Sequence, residues 1–168
     1  ILERLRVRLR ETGIPHDVVA AVLAMPPAGA VGDVRLWGRL AAALDNFLSS
    51  DDGKLLAGGW RRVSSLLAAE EKKTANLPGQ VNEDLFVDQA ETDLHQAIEL
   101  LPCSAGRDNS AILSVMQGLA ALSGPIDQFF NAVVVNADED HLRENRLALL
   151  AAVRAKMQEI ADFNLLEG

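Results

Sequence analysis

The sequence predicts an all-α fold, a helical bundle of about seven to eight helices, on three observations. Apolar residues recur at three- and four-residue intervals almost from end to end. Ala and Leu dominate a hydrophobic share of 49%, while aromatic residues make up 4% and Tyr is absent, a bias toward helix and away from sheet. Glycine and proline clusters interrupt the periodic stretches where helices should stop.

Residues 2–11 read as the first helix, stopped by Gly13 and Pro15. Asp17 is placed to cap a second over 18–25, which Pro26-Pro27 ends. Asp33 caps a third, in which Trp37, Leu40, Leu44, Phe47 and Leu48 share one face. After an interruption at Gly53 a fourth helix runs to about Lys73, with Leu56, Trp60, Val63 and Leu67 as its stripe. Residues 74–82 are a loop, dividing the chain into helical parts 1–73 and 83–168. A long helix over 83–101 ends at Pro102, and Asn109 or Ser110 caps the next, to about Leu122. Ser123-Gly124-Pro125 reads as a cap followed by proline at the first position of a new helix. The run NAVVVN at 131–136 has strand character, but Ile126, Phe129, Phe130 and Val133 fall at helical spacing and predict helix to about Val134. Asp138 then caps the last helix, with Glu139 and Asp140 in its first turn, where the helix dipole favours anions.

At 168 residues the chain is long enough to bury a real core, and no apolar run approaches the roughly 18 residues of a membrane span. Its first residues are too charged for a signal peptide, and an opening on Ile1 in mid-helix pattern reads as a piece of a longer chain. The single Cys103 excludes an internal disulfide or a zinc-binding cysteine set, reads as a loop or core thiol, and suits a cytoplasmic setting. The net charge of −8 is unevenly distributed. Residues 1–73 hold 11 Lys and Arg against 9 Asp and Glu, whereas residues 74–168 hold 5 against 15. Any contact with nucleic acid is therefore expected mainly on the N-terminal half.

No constellation of catalytic residues stands out. His16-Asp17 resembles half of a metal site, but only His95 and His141 remain to complete it, so a helix start is the simpler reading and no metal is expected. Gly58-Gly59 lacks the Lys-Ser/Thr of a phosphate-cradling loop. The cations are more informative. Arg4 and Arg8 share one face of the first helix, Arg61-Arg62 lie in the fourth, and Lys72-Lys73 end it. They read either as solvated charge or as a phosphate-contacting surface. Arg146 differs, because it lies about 40° from Leu142 within the stripe Leu142, Leu149, Val153, Met157 and Ile160. A cation there must be paired, and the acceptors expected are Asp127, then Asp138, then the carbonyls of 133–137. Arg146, Asp127 and Asp138 are thus assigned structural roles.

The same segment carries a resemblance. Pro-Ile-Asp-x-Phe-Phe at 125–130, Leu-Arg-x-Asn-Arg-Leu at 142–147 and Ala-Asp-Phe-x-Leu-Leu at 161–166 resemble the C-terminal signature of the bacterial glycyl-tRNA synthetase β subunit. ILERLR at 1–6, HDVVAAVLA at 16–24 and RRVSSLLA at 61–68 extend the resemblance along nearly the whole chain, in order. The arginyl-tRNA synthetase anticodon domain is similar in helical style but lacks the ADFNLLEG ending.

The resemblance implies an all-helical anticodon-binding domain of the DALR type, whose four-residue signature reads Asp-His-Leu-Arg at 140–143, with His141 in place of alanine. It implies tRNA binding, for which Arg4, Arg8, Arg61, Arg62, Lys72 and Lys73 are the candidates from the charge pattern, in support of ATP-dependent attachment of glycine to its tRNA. Ser64-Ser65 stand where the family pattern has an amide, leaving Arg61-Arg62 with charge alone. The adenylate chemistry, with ATP and magnesium, belongs to a separate α subunit, so the partners implied are glycine tRNA, that α subunit and the rest of the β chain. No cofactor and no catalytic residue are expected in this chain. The rival expectation is an architectural module that docks other domains or the α subunit without touching RNA.

Overall fold

The computed structural model describes residues 2–24, 34–74, 79–102 and 109–166. Among them the chain forms seven α-helices and no strand. These are α1 (Leu2–Glu11), α2 (His16–Ala24), α3 (Val34–Leu48), α4 (Asp51–Glu71), α5 (Gln89–Leu100), α6 (Asn109–Ala132) and α7 (Asp140–Gln158). Short 3-10 turns at Glu83–Leu85 and Phe163–Leu165 complete the order. The readings placed on Pro26-Pro27, Asp33 and Cys103 lie outside the described residues.

Helix α6 is the axis of the bundle, with α3, α4 and α5 packed on it and α7 laid against α4 and α5. Its stripe of Leu119, Leu122, Ile126 and Phe129 is fully buried. Each such side chain contributes about 1.5–3 kcal/mol by leaving water. The predicted stripe of α4 is buried throughout, and that of α3 is buried apart from the half-buried Leu48. One hydrophobic core therefore takes residues from both sides of the 74–82 segment. Helices α4 and α6 approach closely at Gly59 of α4, where a β-carbon would collide with the Ile126 side chain.

Several predicted boundaries moved. The break at Ser123-Gly124-Pro125 does not occur, and α6 runs through Pro125. Proline removes the backbone hydrogen bond to the carbonyl four residues earlier, that of Ala121, but the apolar stripe continues in register across it. Core packing outweighs the local break. The helix predicted over 83–101 instead splits, because Asp88 accepts from the Ala90 amide at 2.9 Å and starts α5 there. Gly53 does not interrupt α4. Ser50 caps that helix by accepting from the Gly53 amide at 3.1 Å, and only glycine fits because a β-carbon would strike the Phe47 carbonyl. Asp17 lies in the first turn of α2 rather than before it. Asp138 likewise does not cap α7, whose N-cap position is Glu139 without a side-chain bond.

Candidate functional site

The first turns of α7 place three polar side chains against the body of the fold. Arg146, 9% exposed, donates from Nε to Oε1 of Glu91 at 2.9 Å and from Nη1 to the Val134 carbonyl at 2.9 Å. The second carboxylate oxygen of Glu91 accepts the amides of Val87 and Asp88 at 2.8 and 2.9 Å. Glu91 thus completes the cap of α5 and neutralises α7 with one side chain. Asp127 and Asp138 are not the partners. Asp127 is half-buried and accepts from Asn131 at 3.0 Å, whereas Asp138 is exposed. The carbonyl expectation holds at Val134, while the carboxylate comes from a helix 55 residues away.

Its neighbours act alike. The buried amide of Asn145 donates to the Asn82 carbonyl at 2.9 Å and accepts the Asn82 amide at 2.7 Å, clamping the backbone ahead of α5. Arg143 reaches Glu70 at 3.1 Å and Arg154 reaches Glu71 at 2.8 Å, so the acidic end of α4 faces α7. The Leu-Arg-x-Asn-Arg-Leu segment is therefore a bracket holding α4, α5 and the turn after α6 together.

The Ala-Asp-Phe-x-Leu-Leu ending is a second bracket. The Asp162 amide donates to the Ala21 carbonyl at 2.9 Å, the ring of Phe163 lies 5.8 Å from that of Trp60, and Ser64 donates to Asn164 at 2.9 Å. This seats the chain end between α2 and α4 and closes one side of a groove of about 610 Å³. Leu48, Ala57, Trp60 and Phe163 give it apolar walls. Asp17, Asp45, Lys54 and Arg61 add charge of both signs.

Helix α4 supplies a row of cations beside that groove. Lys54, Arg61 and Lys72 are spaced seven and eleven residues apart. At 100° per residue they fall within about 20° of one line, which runs roughly 27 Å along the helix. All three are exposed, and no described residue pairs with their side chains. The residues next to two of them behave differently. Arg62 lies 4.4 Å over the Phe130 ring and Lys73 is 3.7 Å from Glu70. Each predicted pair thus contains one cation without a partner among the described residues and one that is exposed yet in contact with a neighbouring side chain. Lys54 was missed by the sequence reading, although its spacing to Arg61 and Lys72 was available to find it. Arg8 is exposed on α1, and the Arg4 side chain lies outside the described residues.

Among the described residues no three His, Cys, Asp or Glu side chains gather as a metal set, and no helix is long and apolar enough to cross a membrane. The chemistry available at this face is recognition of anions and of groups that fit a narrow amphipathic groove.

Comparison with known proteins adds to this geometry. A family model described as the DALR anticodon binding domain matches residues 59–163, from the middle of α4 to the final bracket. The chain is 36% identical to the glycine–tRNA ligase beta subunit of Ruegeria sp. (strain TM1040), an alignment covering 99% of this chain and 24% of that protein. It is 39% identical to the protein of the same name from Cereibacter sphaeroides (strain ATCC 17029 / ATH 2.4.9), again over 99% of this chain and 24% of the relative. The chain spans about a quarter of the length of these curated relatives.

Proposed function

The chain belongs to the DALR anticodon-binding domain family, and on that premise we propose that it binds the anticodon arm of glycine tRNA for a glycine–tRNA ligase. The observation that carries the reading is the alignment with β subunits of that ligase along 99% of the chain. The row of Lys54, Arg61 and Lys72 supports it physically, because exposed cations without partners among the described residues, along one helix face, suit a phosphate backbone. In this reading the chain contributes no bond-making residue. ATP, with magnesium, serves glycine activation in a separate α subunit, and this domain supplies affinity and discrimination for the RNA.

The test is tRNA binding at several salt concentrations. Binding of glycine tRNA weakens as salt rises, with a logarithmic slope of roughly −0.7 to −0.9 per phosphate neutralised. Arg61→Glu with Lys72→Glu lowers affinity for every tRNA tried and flattens that slope, while the melting temperature stays close to that of the parent. Unchanged affinity in this variant defeats the proposal for this face. The second reading, an architectural module, is favoured by one observation: Arg143, Arg146 and Arg154 are committed to internal carboxylates. The C-terminal half thereby keeps 15 acids against 5 bases and few free cations to offer RNA. Intact tRNA binding by a chain bearing the α4 reversals, together with lost assembly on α7 surface variants, is the outcome that would select it.

A further inference from the structure

Helix α4 ends on two glutamates that its own geometry does not call for. Glu70 and Glu71 occupy its last turn, where the carbonyl end of the helix dipole favours cations and disfavours acids. Each is held by an arginine of α7. Arg143 donates from Nη1 to Oε1 of Glu70 at 3.1 Å, and Arg154 donates from Nη2 to Oε1 of Glu71 at 2.8 Å. The other Glu70 oxygen lies 3.7 Å from Nζ of Lys73. Lys72, the last cation of the α4 row, is exposed and has no partner among the described residues. The end of the row therefore adjoins two α7 arginines whose charge is already matched.

The stability of the fold does not account for this arrangement. Arg154 and Glu71 keep 25% and 47% of their side-chain surface, and an ion pair that exposed contributes little. Glu70 keeps 7%, and a carboxylate buried on a cation is generally no more stabilising than an apolar side chain of its volume. What the pairs change is the field beside the row. Without the two carboxylates this end of the protein would carry two more net positive charges, close to arginines that are each about a quarter exposed.

RNA held by charge alone is free to shift until it uses the cations within reach, and its affinity grows with the number of phosphates neutralised. RNA set in one register by base contacts lacks that freedom. We infer that Glu70 and Glu71 form a charge stop: by neutralising Arg143 and Arg154 they confine RNA to the α4 row and hold down the binding of RNAs that make no base contacts. Both are specificity-determining residues that act through the arginines they hold, without touching RNA. The inference rests on the anticodon-binding reading above and deepens it, because it concerns the RNAs that the row rejects.

The experiment titrates the chain, Glu71→Gln, Glu70→Gln and the double variant Glu71→Gln with Arg154→Gln. The probes are glycine tRNA and a tRNA for another amino acid, each at several salt concentrations. Glu71→Gln removes an exposed carboxylate and keeps the parent's melting temperature, so it carries the test even where Glu70→Gln unfolds. In Glu71→Gln the non-glycine tRNA binds about threefold to tenfold more tightly near 0.1 M salt, and its salt slope steepens by about one phosphate's worth. Glycine tRNA gains less, so selectivity narrows. Removing Arg154 as well restores the slope and selectivity of the parent, which a lost structural contact could not do. Folded Glu70→Gln shifts both readouts in the same direction as Glu71→Gln. A non-glycine slope that is unchanged or flatter in Glu71→Gln, or a selectivity that does not narrow, overturns the inference while leaving the anticodon-binding reading in place. Failure of the parent chain to bind glycine tRNA removes that reading, and the inference with it.

Discussion

Replacing Arg146 tests whether a buried ion pair organises this fold. In Arg146→Ala the Glu91 carboxylate loses its one cationic partner among the described residues, and the Val134 carbonyl loses a donor at 2.9 Å. Breaking a buried pair by removing one member destabilises by about 3–5 kcal/mol. Glu91 keeps the amides of Val87 and Asp88 at 2.8 and 2.9 Å, which places that contribution in the lower half of the range. The orphaned carbonyl adds about 1 kcal/mol. The expected loss is about 4–5 kcal/mol, or a fall in melting temperature of roughly 10–15 °C for a chain of this length. Glu91→Ala is expected to lose about 1 kcal/mol more, because it also removes the capping box of α5. The double variant Glu91→Ala with Arg146→Ala should lose less than the sum of the single losses, since no unpaired charge then remains inside. The assay is urea unfolding followed by far-UV circular dichroism, analysed as a double-mutant cycle. An Arg146→Ala chain within about 0.5 kcal/mol of the parent, or strictly additive losses, refutes the reasoning. Lost tRNA binding at unchanged stability would show that the cation serves RNA instead.

Gly58 and Gly59 provide a contrast inside one helix. Gly59→Ala forces a β-carbon into Ile126 and is expected to destabilise by about 1–3 kcal/mol, whereas Gly58→Ala meets open space and should stabilise by about 0.5–1 kcal/mol in thermal unfolding. Equal effects at the two positions would contradict the close approach of α4 and α6. Asn145→Ala removes both hydrogen bonds to the Asn82 backbone and is expected to cost about 2 kcal/mol. Hydrogen exchange should then quicken first over residues 79–85, and uniform quickening along the chain would mean that the clamp is not local.

The helices were legible because the information that makes them is local. The apolar stripes of α3, α4 and α7 repeat at helical spacing, and the misplaced cation at Arg146 announced a buried pair from its position alone. Local signals also misled. Ser123-Gly124-Pro125 carries every mark of a helix start, yet Leu122, Ile126 and Phe129 are buried on one continuous face and hold α6 through the proline. The Asp88-Gln89-Ala90-Glu91 capping sequence, by contrast, was readable and would have divided the 83–101 helix correctly.

The basic surface was legible as composition but not as arrangement. Arg61-Arg62 and Lys72-Lys73 are adjacent in sequence, so the 100° step between neighbours sends one of each pair outward and the other toward Phe130 or Glu70. The Lys73 contact is local, three residues along the same helix, whereas the ring that meets Arg62 is brought there by the packing of α6 on α4.

By itself the sequence determined the helical class, the apolar faces, the uneven charge and the family signature, because each is written in residues close together along the chain. Only the tertiary structure decided that Glu91 neutralises Arg146, that Asn145 holds Asn82, and that Asp45, Lys54 and Arg61 line one groove. Those groups are brought together by helices folding onto α6 across tens of residues, and no periodicity within a single helix records which face its neighbour will cover.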